Sequence, residues 1–123
     1  MLEATFNERL GVIQTVARGM TPPEELDLYV QELRRLRDRE RTRGKRFLHL
    51  VDAREAAVQS QWASERLNRH TSSDGSIQLQ DRTAVVVNSA LVKMQVARLT
   101  GHTQYASFTD MDAAIAWLTA TAD

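Results

Sequence analysis

The order of its periodic segments constrains this chain more than any single motif does. Two short strand-like runs open it, and three more follow, with amphipathic helical stretches between and after them, in the order β-β-α-β-α-β-α-β-α. Parallel strands need a long crossover, usually a helix, to bring the chain back to the same edge of a sheet. The expected fold is therefore α/β: a mixed, mostly parallel sheet with an antiparallel opening strand, packed by four helices. At 123 residues the chain is the size of one domain with a core of its own, so residues 1–123 are expected to form a single unit.

The local signals follow that order. Leu2, Ala4 and Phe6 alternate with Glu3, Thr5 and Asn7, and after a turn around residues 7–11 the β-branched run 12–18 completes a hairpin. Thr21-Pro22-Pro23-Glu24 offers a threonine N-cap, prolines in the first turn and a capping-box glutamate. The helix it starts repeats Leu26, Tyr29, Val30, Leu33 and Leu36 on one stripe, and Gly44 is its expected terminator. Phe47, Leu48, Leu50 and Val51 surround His49 in a run typical of a central parallel strand, expected to end at Asp52.

A helix over 56–70 carries only a thin apolar stripe, Trp62, Ala63 and Leu67, and a polar loop over 71–76 follows it. The strand 84–87 leads through Asn88 and Ser89 into a helix over 90–100. That helix has an apolar surface, from Leu91 and Met94 to Val96 and Leu99, broad enough for a homodimer contact. The last strand, 104–108, precedes a capping box of Thr109 and Asp112 and a helix burying Met111, Ala114, Ile115 and Leu118.

Composition narrows the function classes. The chain has no cysteine, which excludes disulfides and thiolate metal sites. Its first residues lack a basic and then apolar leader, and no apolar run nears the ~18 residues of a membrane span, so a cytoplasmic protein is expected. Sixteen basic residues balance sixteen acidic ones, so no chain-wide grip on nucleic acid is expected. His49, His70 and His102 lack the close spacing of a metal pair, and His49, inside an apolar strand, reads as a core histidine. The five glycines are isolated, and neither a P-loop nor a dinucleotide fingerprint is present. No cofactor, no metal and no enzymatic activity are expected.

Three sets of residues remain as candidates. Open α/β sheets bind ligands outside the carboxyl ends of their strands, which singles out Asp52, Asn88, Ser89 and Thr109, although the same residue types also hold turns and cap helices. Ser60, near a helix start, could take a phosphate or serve as an ordinary cap. Arg34, Arg35, Arg37, Arg41, Arg43, Lys45 and Arg46 belong to a 34–46 segment with eight basic residues and two acids. It reads either as a docking patch for anionic lipid headgroups or nucleic-acid phosphates, the latter disfavoured because the segment has no aromatic residue before Phe47, or as a solvated helix end whose arginines answer the macrodipole.

With the elements placed, the chain resembles the SpoIIAA-like branch of the STAS superfamily, named for sulfate transporters and anti-sigma factor antagonists. The resemblance spans nearly the whole chain. It is carried by the strand ending Leu50-Val51-Asp52, by Ala84-Val85-Val86-Val87-Asn88-Ser89-Ala90-Leu91-Val92-Lys93-Met94, and by Phe108-Thr109-Asp110-Met111-Asp112-Ala113-Ala114-Ile115-Ala116-Trp117-Leu118. It implies a non-enzymatic regulatory module that binds a protein partner. The related CRAL-TRIO-like fold adds an alternative, a small lipid-binding or membrane-surface carrier with an apolar pocket beneath the 56–70 helix. Where anti-sigma antagonists carry an Asp-Ser-Ser-Gly turn with a phosphorylatable serine, this chain reads Asp52-Ala53-Arg54-Glu55-Ala56, and Ser60 is the nearest serine.

Overall fold

A computed structural model describes residues 1–20, 22–56, 81–88 and 105–120. It holds strands β1 (Leu2–Asn7), β2 (Val12–Gly19), β3 (Leu48–Ala56), β4 (Arg82–Val86) and β5 (Tyr105–Phe108), with helices α1 (Pro23–Thr42) and α2 (Met111–Thr119). Ala56, the expected start of the 56–70 helix, instead ends β3; residues 57–70, the expected 90–100 helix, the 71–76 loop and Thr21 lie outside the described residues, so two of the four expected helices are described.

The five strands form one sheet in the order β1-β2-β3-β4-β5. β1 runs antiparallel to β2, and β2, β3, β4 and β5 are parallel. The opening hairpin closes on Asn7, whose side chain accepts from the Leu10 amide at 3.1 Å while its carbonyl accepts from Gly11 at 2.8 Å. Gly11 adopts φ +70°, a backbone region that costs a residue with a Cβ about 1–2 kcal/mol.

Side chains alternate across a strand, so neighbours on β2 serve opposite cores. Val12 packs with Leu50, Ala84, Val86, Ala114 and Leu118 on the α2 side, and Ile13 packs with Leu26, Tyr29, Val30, Leu33 and Leu36 on the α1 side. The apolar stripe expected of the first helix is buried in full. On α2, Ala114 and Leu118 are buried, while Met111 and Ile115 pack against that core half-covered.

Three boundaries differ from the sequence reading. Pro22, in extended geometry, is the N-cap of α1, with Pro23 at its first position; the cap lies one residue past Thr21 because prolines tolerate the first turn, where backbone N–H groups lack intrahelical partners. Asp110, not Thr109, caps α2, its carboxylate accepting from the Ala113 amide at 3.0 Å. Asp110 stands at the residue directly before the helix, from which its carboxylate reaches the third helical amide, and Thr109, one residue earlier, stays exposed. β3 does not stop at Asp52 but continues to Ala56, because its last residues pair with the end of β2 across a bulge.

Glycine ends α1 as expected. Gly44 at φ +73° follows the C-cap Arg43, Lys45 N–H donates to the Glu40 carbonyl at 2.9 Å, and Gly44 N–H donates to Arg41 at 3.0 Å. That pair of bonds is a Schellman closure.

Immediately beyond it, one buried carboxylate gathers three elements. Asp81 accepts both Arg41 terminal nitrogens, at 2.8 and 2.5 Å, and the Phe47 amide at 2.9 Å. Arg82 N–H donates to the Phe47 carbonyl at 3.1 Å. The end of α1 and the starts of β3 and β4 are thereby held together. Arg82 also donates to the Trp117 carbonyl at 2.8 Å and Arg46 to the Ala120 carbonyl at 3.0 Å, satisfying acceptors that a helix end leaves open.

Asp81→Ala is expected to cost about 2–3 kcal/mol, since it removes the bidentate carboxylate from a half-buried guanidinium and leaves a strand-start amide without its acceptor. Gly44→Ala is expected to cost about 1 kcal/mol through its positive φ. Urea unfolding checks both, and a loss for Asp81→Ala no larger than that for Gly44→Ala would remove Asp81 from this role.

Candidate functional site

The parallel strands β2, β3 and β4 end on the same side of the sheet, and Asp52 lies there in register with Val16 on one side and Val86 on the other. From that point β3 outruns β4. Between Val16↔Asp52 and Arg18↔Glu55 the register shifts, with three steps along β3 for two along β2. A bulge of this kind bends a strand and re-aims its side chains, and it recurs next to functional sites.

The extended end of β3 carries paired charges. Arg54 lays its guanidinium along the Asp52 carboxylate, Nε to Oδ1 and Nη2 to Oδ2 both at 2.9 Å, and its own amide donates to Oδ1 at 3.2 Å. Asn88, just past β4, donates from Nδ2 to the Arg54 carbonyl at 3.0 Å and so ties the projecting strand back to its neighbour. Beside them Arg18 and Glu55 pair at 2.8 Å.

The hydrogen bonds from Arg54 hold the Asp52 carboxyl below its ordinary range, against the opposing effect of partial burial, and Asp52 raises Arg54 in turn. Asp52 is thus an ionised acceptor rather than a proton donor at neutral pH. Its side chain is 25% exposed, that of Arg54 48%, and those of Arg18 and Glu55 more than 60%. The exposed Arg18–Glu55 pair contributes about 0–1 kcal/mol, so an incoming group of either sign can exchange with one of its members at small cost.

Of the four residues that sequence reasoning placed at the carboxyl ends, Asp52 and Asn88 come together through Arg54. Thr109 follows β5 as an exposed residue, and Ser89 lies outside the described residues, as does Ser60. Arg54 is the member that the sequence reading passed over, and the signal available was the Asp-x-Arg spacing at a strand end, which sets both side chains on one face. Arg18 and Glu55 are 37 positions apart, and nothing local in the sequence links them.

The arginine segment is distributed rather than gathered. Arg35 forks onto Glu32 at 2.9 and 2.6 Å, Arg37 reaches Asp38 at 3.2 Å, Arg43 reaches the buried Glu40 at 3.3 Å, Arg41 holds Asp81 and Arg46 caps α2. Arg34 is half-buried and Lys45 exposed.

On the α1 side of the sheet His49 is fully enclosed. Its Nε2 lies 2.7 Å from the Thr15 hydroxyl, which lies 2.8 Å from the Tyr29 hydroxyl, and Phe47 tilts against the imidazole at 5.4 Å between ring centres. Burial pushes the imidazole down to about 4. His49 is a core residue, as its place in an apolar strand implies, and Thr15 and Tyr29 are the partners that only the fold reveals. Among the described residues no cluster of three or more His, Asp or Glu side chains has the arrangement of a metal site, and no helix is long and apolar enough to cross a membrane.

No family model matches the chain, and no curated protein matches it in sequence. The solved structure of an uncharacterized protein from the DUF3478 family, with a SpoIIAA-like fold, from Shewanella loihica PV-4 superposes with a TM-score of 0.64. It is 17% identical, over 96% of this chain and 92% of the other. The chain therefore shares the SpoIIAA-like fold of that protein, as the resemblance implied.

The His49 network makes stability depend on pH. Unfolded, the imidazole gains a proton below about 6.5, whereas folded it does so only near 4, so between those limits the unfolded chain binds more protons and stability falls as pH falls. The full loss is roughly 3 kcal/mol. Urea midpoints between pH 7.5 and 5 are expected to drop for the wild type and to stay flatter for His49→Gln; equal slopes would show that the imidazole is not the titrating group.

Proposed function

We propose that this chain is a non-enzymatic binding module, a regulatory domain of the SpoIIAA-like type, that engages a cytoplasmic protein partner at the carboxyl ends of β3 and β4. The observation that carries the reading is the bulged, projecting end of β3, where Asp52, Arg54 and Asn88 offer an anionic acceptor, a cationic fork and an amide within one hydrogen-bonded group. Groups of both signs, half-exposed and weakly held, match the polar rim of a protein interface. They suit an apolar ligand poorly.

The alternative is a lipid-binding or membrane-surface carrier. Its docking charge would come from the arginine segment, and Arg41, Arg43 and Arg46 are already directed to Asp81, Glu40 and the Ala120 carbonyl, which favours the protein-partner reading. A phosphate switch at Ser60 would be a further layer on the same module.

Charge reversal separates these readings. Protein captured from a cell extract by the wild-type chain is expected to be lost with Arg54→Glu and with Asp52→Lys while thermal unfolding shifts by no more than about 1 kcal/mol. Capture unchanged by either substitution would remove the carboxyl-end surface from the proposal. Salt-sensitive sedimentation of the chain with vesicles containing phosphatidylserine would install the carrier reading instead.

A further inference from the structure

β1, one of the two edge strands among the described residues, carries few of the usual protections of an edge. Its six residues include no proline and no lysine, and it pairs with β2 without a bulge. Met1 and Arg18 exchange both backbone bonds, Arg18 N–H to the Met1 carbonyl at 2.9 Å and the Met1 nitrogen to the Arg18 carbonyl at 2.5 Å. In an antiparallel pair such residues recur at every second position, so Glu3, Thr5 and Asn7 direct their backbone groups to β2. Leu2, Ala4 and Phe6 direct theirs outward.

The first of these three is occupied, since Leu2 N–H donates to the Glu25 carboxylate of α1 at 2.9 Å. That carboxylate stands where an incoming strand would otherwise lie. The turn beginning after Asn7 closes the other end. Among the described residues, what stays open is a short stretch with two outward residues, Ala4 and Phe6, and its centre is Thr5.

A stretch with that symmetry is complementary to itself. Paired antiparallel about Thr5, Ala4 of one copy faces Phe6 of the other, a small side chain against a large one, and the two pairs exchange four backbone hydrogen bonds. Thr5 meets Thr5, and Glu3 meets the neutral Asn7 rather than another acid. Centring one residue earlier would press the Glu25 carboxylate against a carbonyl of the second copy.

The helix beside the edge repeats the pattern in its charges. Glu25 touches Leu2, and the Arg39 guanidinium lies 4.8 Å from the centre of the Phe6 ring, so both belong to the flank of α1 that borders β1. Helical spacing puts Leu28, Glu32 and Arg35 on the same stripe. Leu28, at 66% exposed, is the most exposed of the described large apolar side chains. The stripe is acidic toward the start of the helix and basic toward its end. A two-fold axis through the β1 edge would set two such stripes antiparallel on one face of the joined sheet, acid facing base.

We infer that β1 is the pairing edge of a two-fold homodimer, in which two copies join antiparallel about Thr5 so that their described strands form one continuous sheet, flanked by antiparallel α1 helices. The partner is a second copy of this chain because the free edge, the side-chain sizes and the charge order all match themselves under that one symmetry.

Because the chain has no cysteine, single cysteines report the register directly. At a non-hydrogen-bonded pair the Cα atoms lie about 4.5 Å apart, within disulfide range. Thr5→Cys is expected to give a disulfide-linked dimer within minutes of mild oxidation. Glu3→Cys is expected to stay uncrosslinked, its two copies being roughly 13 Å apart along the strands. Ala4→Pro blocks an outward amide and none of the bonds to β2, so it is expected to convert a sedimentation mass near twice 13.9 kDa to the single value. A wild-type monomer at 100 µM, or equal crosslinking at positions 3 and 5, would overturn the proposal. So would a folded Ala4→Pro protein that remains dimeric, which would place the contact elsewhere, as on residues 90–100.

Discussion

The buried carboxylate of Asp81 is the interaction on which the alignment of this sheet depends. A parallel strand cannot take its register from a tight turn, because its neighbour arrives only after a long crossover. Here the register of β3 against β4 is set at their starts, where Asp81 holds the Phe47 amide and Arg82 holds the Phe47 carbonyl. The same carboxylate grips Arg41 in the last turn of α1, so the helix that covers one face ends where the strands beneath it begin. A slip of one residue would exchange the two faces of a strand and put Leu50 where His49 is. The ion pair therefore serves alignment, and its net stabilisation is modest once the desolvation of both charges is counted.

With the starts of the strands tied together, irregularity is confined to their ends. β3 can bulge, outrun β4 and carry Asp52, Arg54 and Glu55 into partial exposure because its first half is locked on both sides. The polar group beyond the sheet is held by weak, exposed pairs, whereas the polar group within it, Thr15 with Tyr29 and His49, is enclosed and satisfied. The first suits exchange with a partner and the second suits specification of a core. That contrast is why the functional reading rests on the strand ends and the acid sensitivity on the interior.

The fold was legible in the sequence wherever burial alone decides the outcome. The stripe Leu26, Tyr29, Val30, Leu33 and Leu36, the central run around His49, and Gly44 as a terminator all appear as read. The misplacements fall at boundaries, where several residue types compete for one role. Thr109 and Asp110 are both good caps, and the structure uses Asp110. The prolines after Thr21 fit the first turn from either of two starting points, and the strand through Asp52 ends only where β2 stops pairing with it. The arginine run was legible as charge but not as geometry, since its carboxylate partners include one forty positions away.

By itself, the sequence determined the order of the described strands and helices and their buried faces, because periodicity and turn chemistry are local properties that each segment carries with it. Only the tertiary structure decided which charges meet. Arg41 with Asp81, Arg18 with Glu55, and Thr15 with both Tyr29 and His49 join residues far apart in the chain, at distances set by how the helices pack and how the strands align. Those meetings are what separate a candidate surface from a run of polar residues, since an interaction that falls off within a few ångströms is invisible until the chain has brought its partners together.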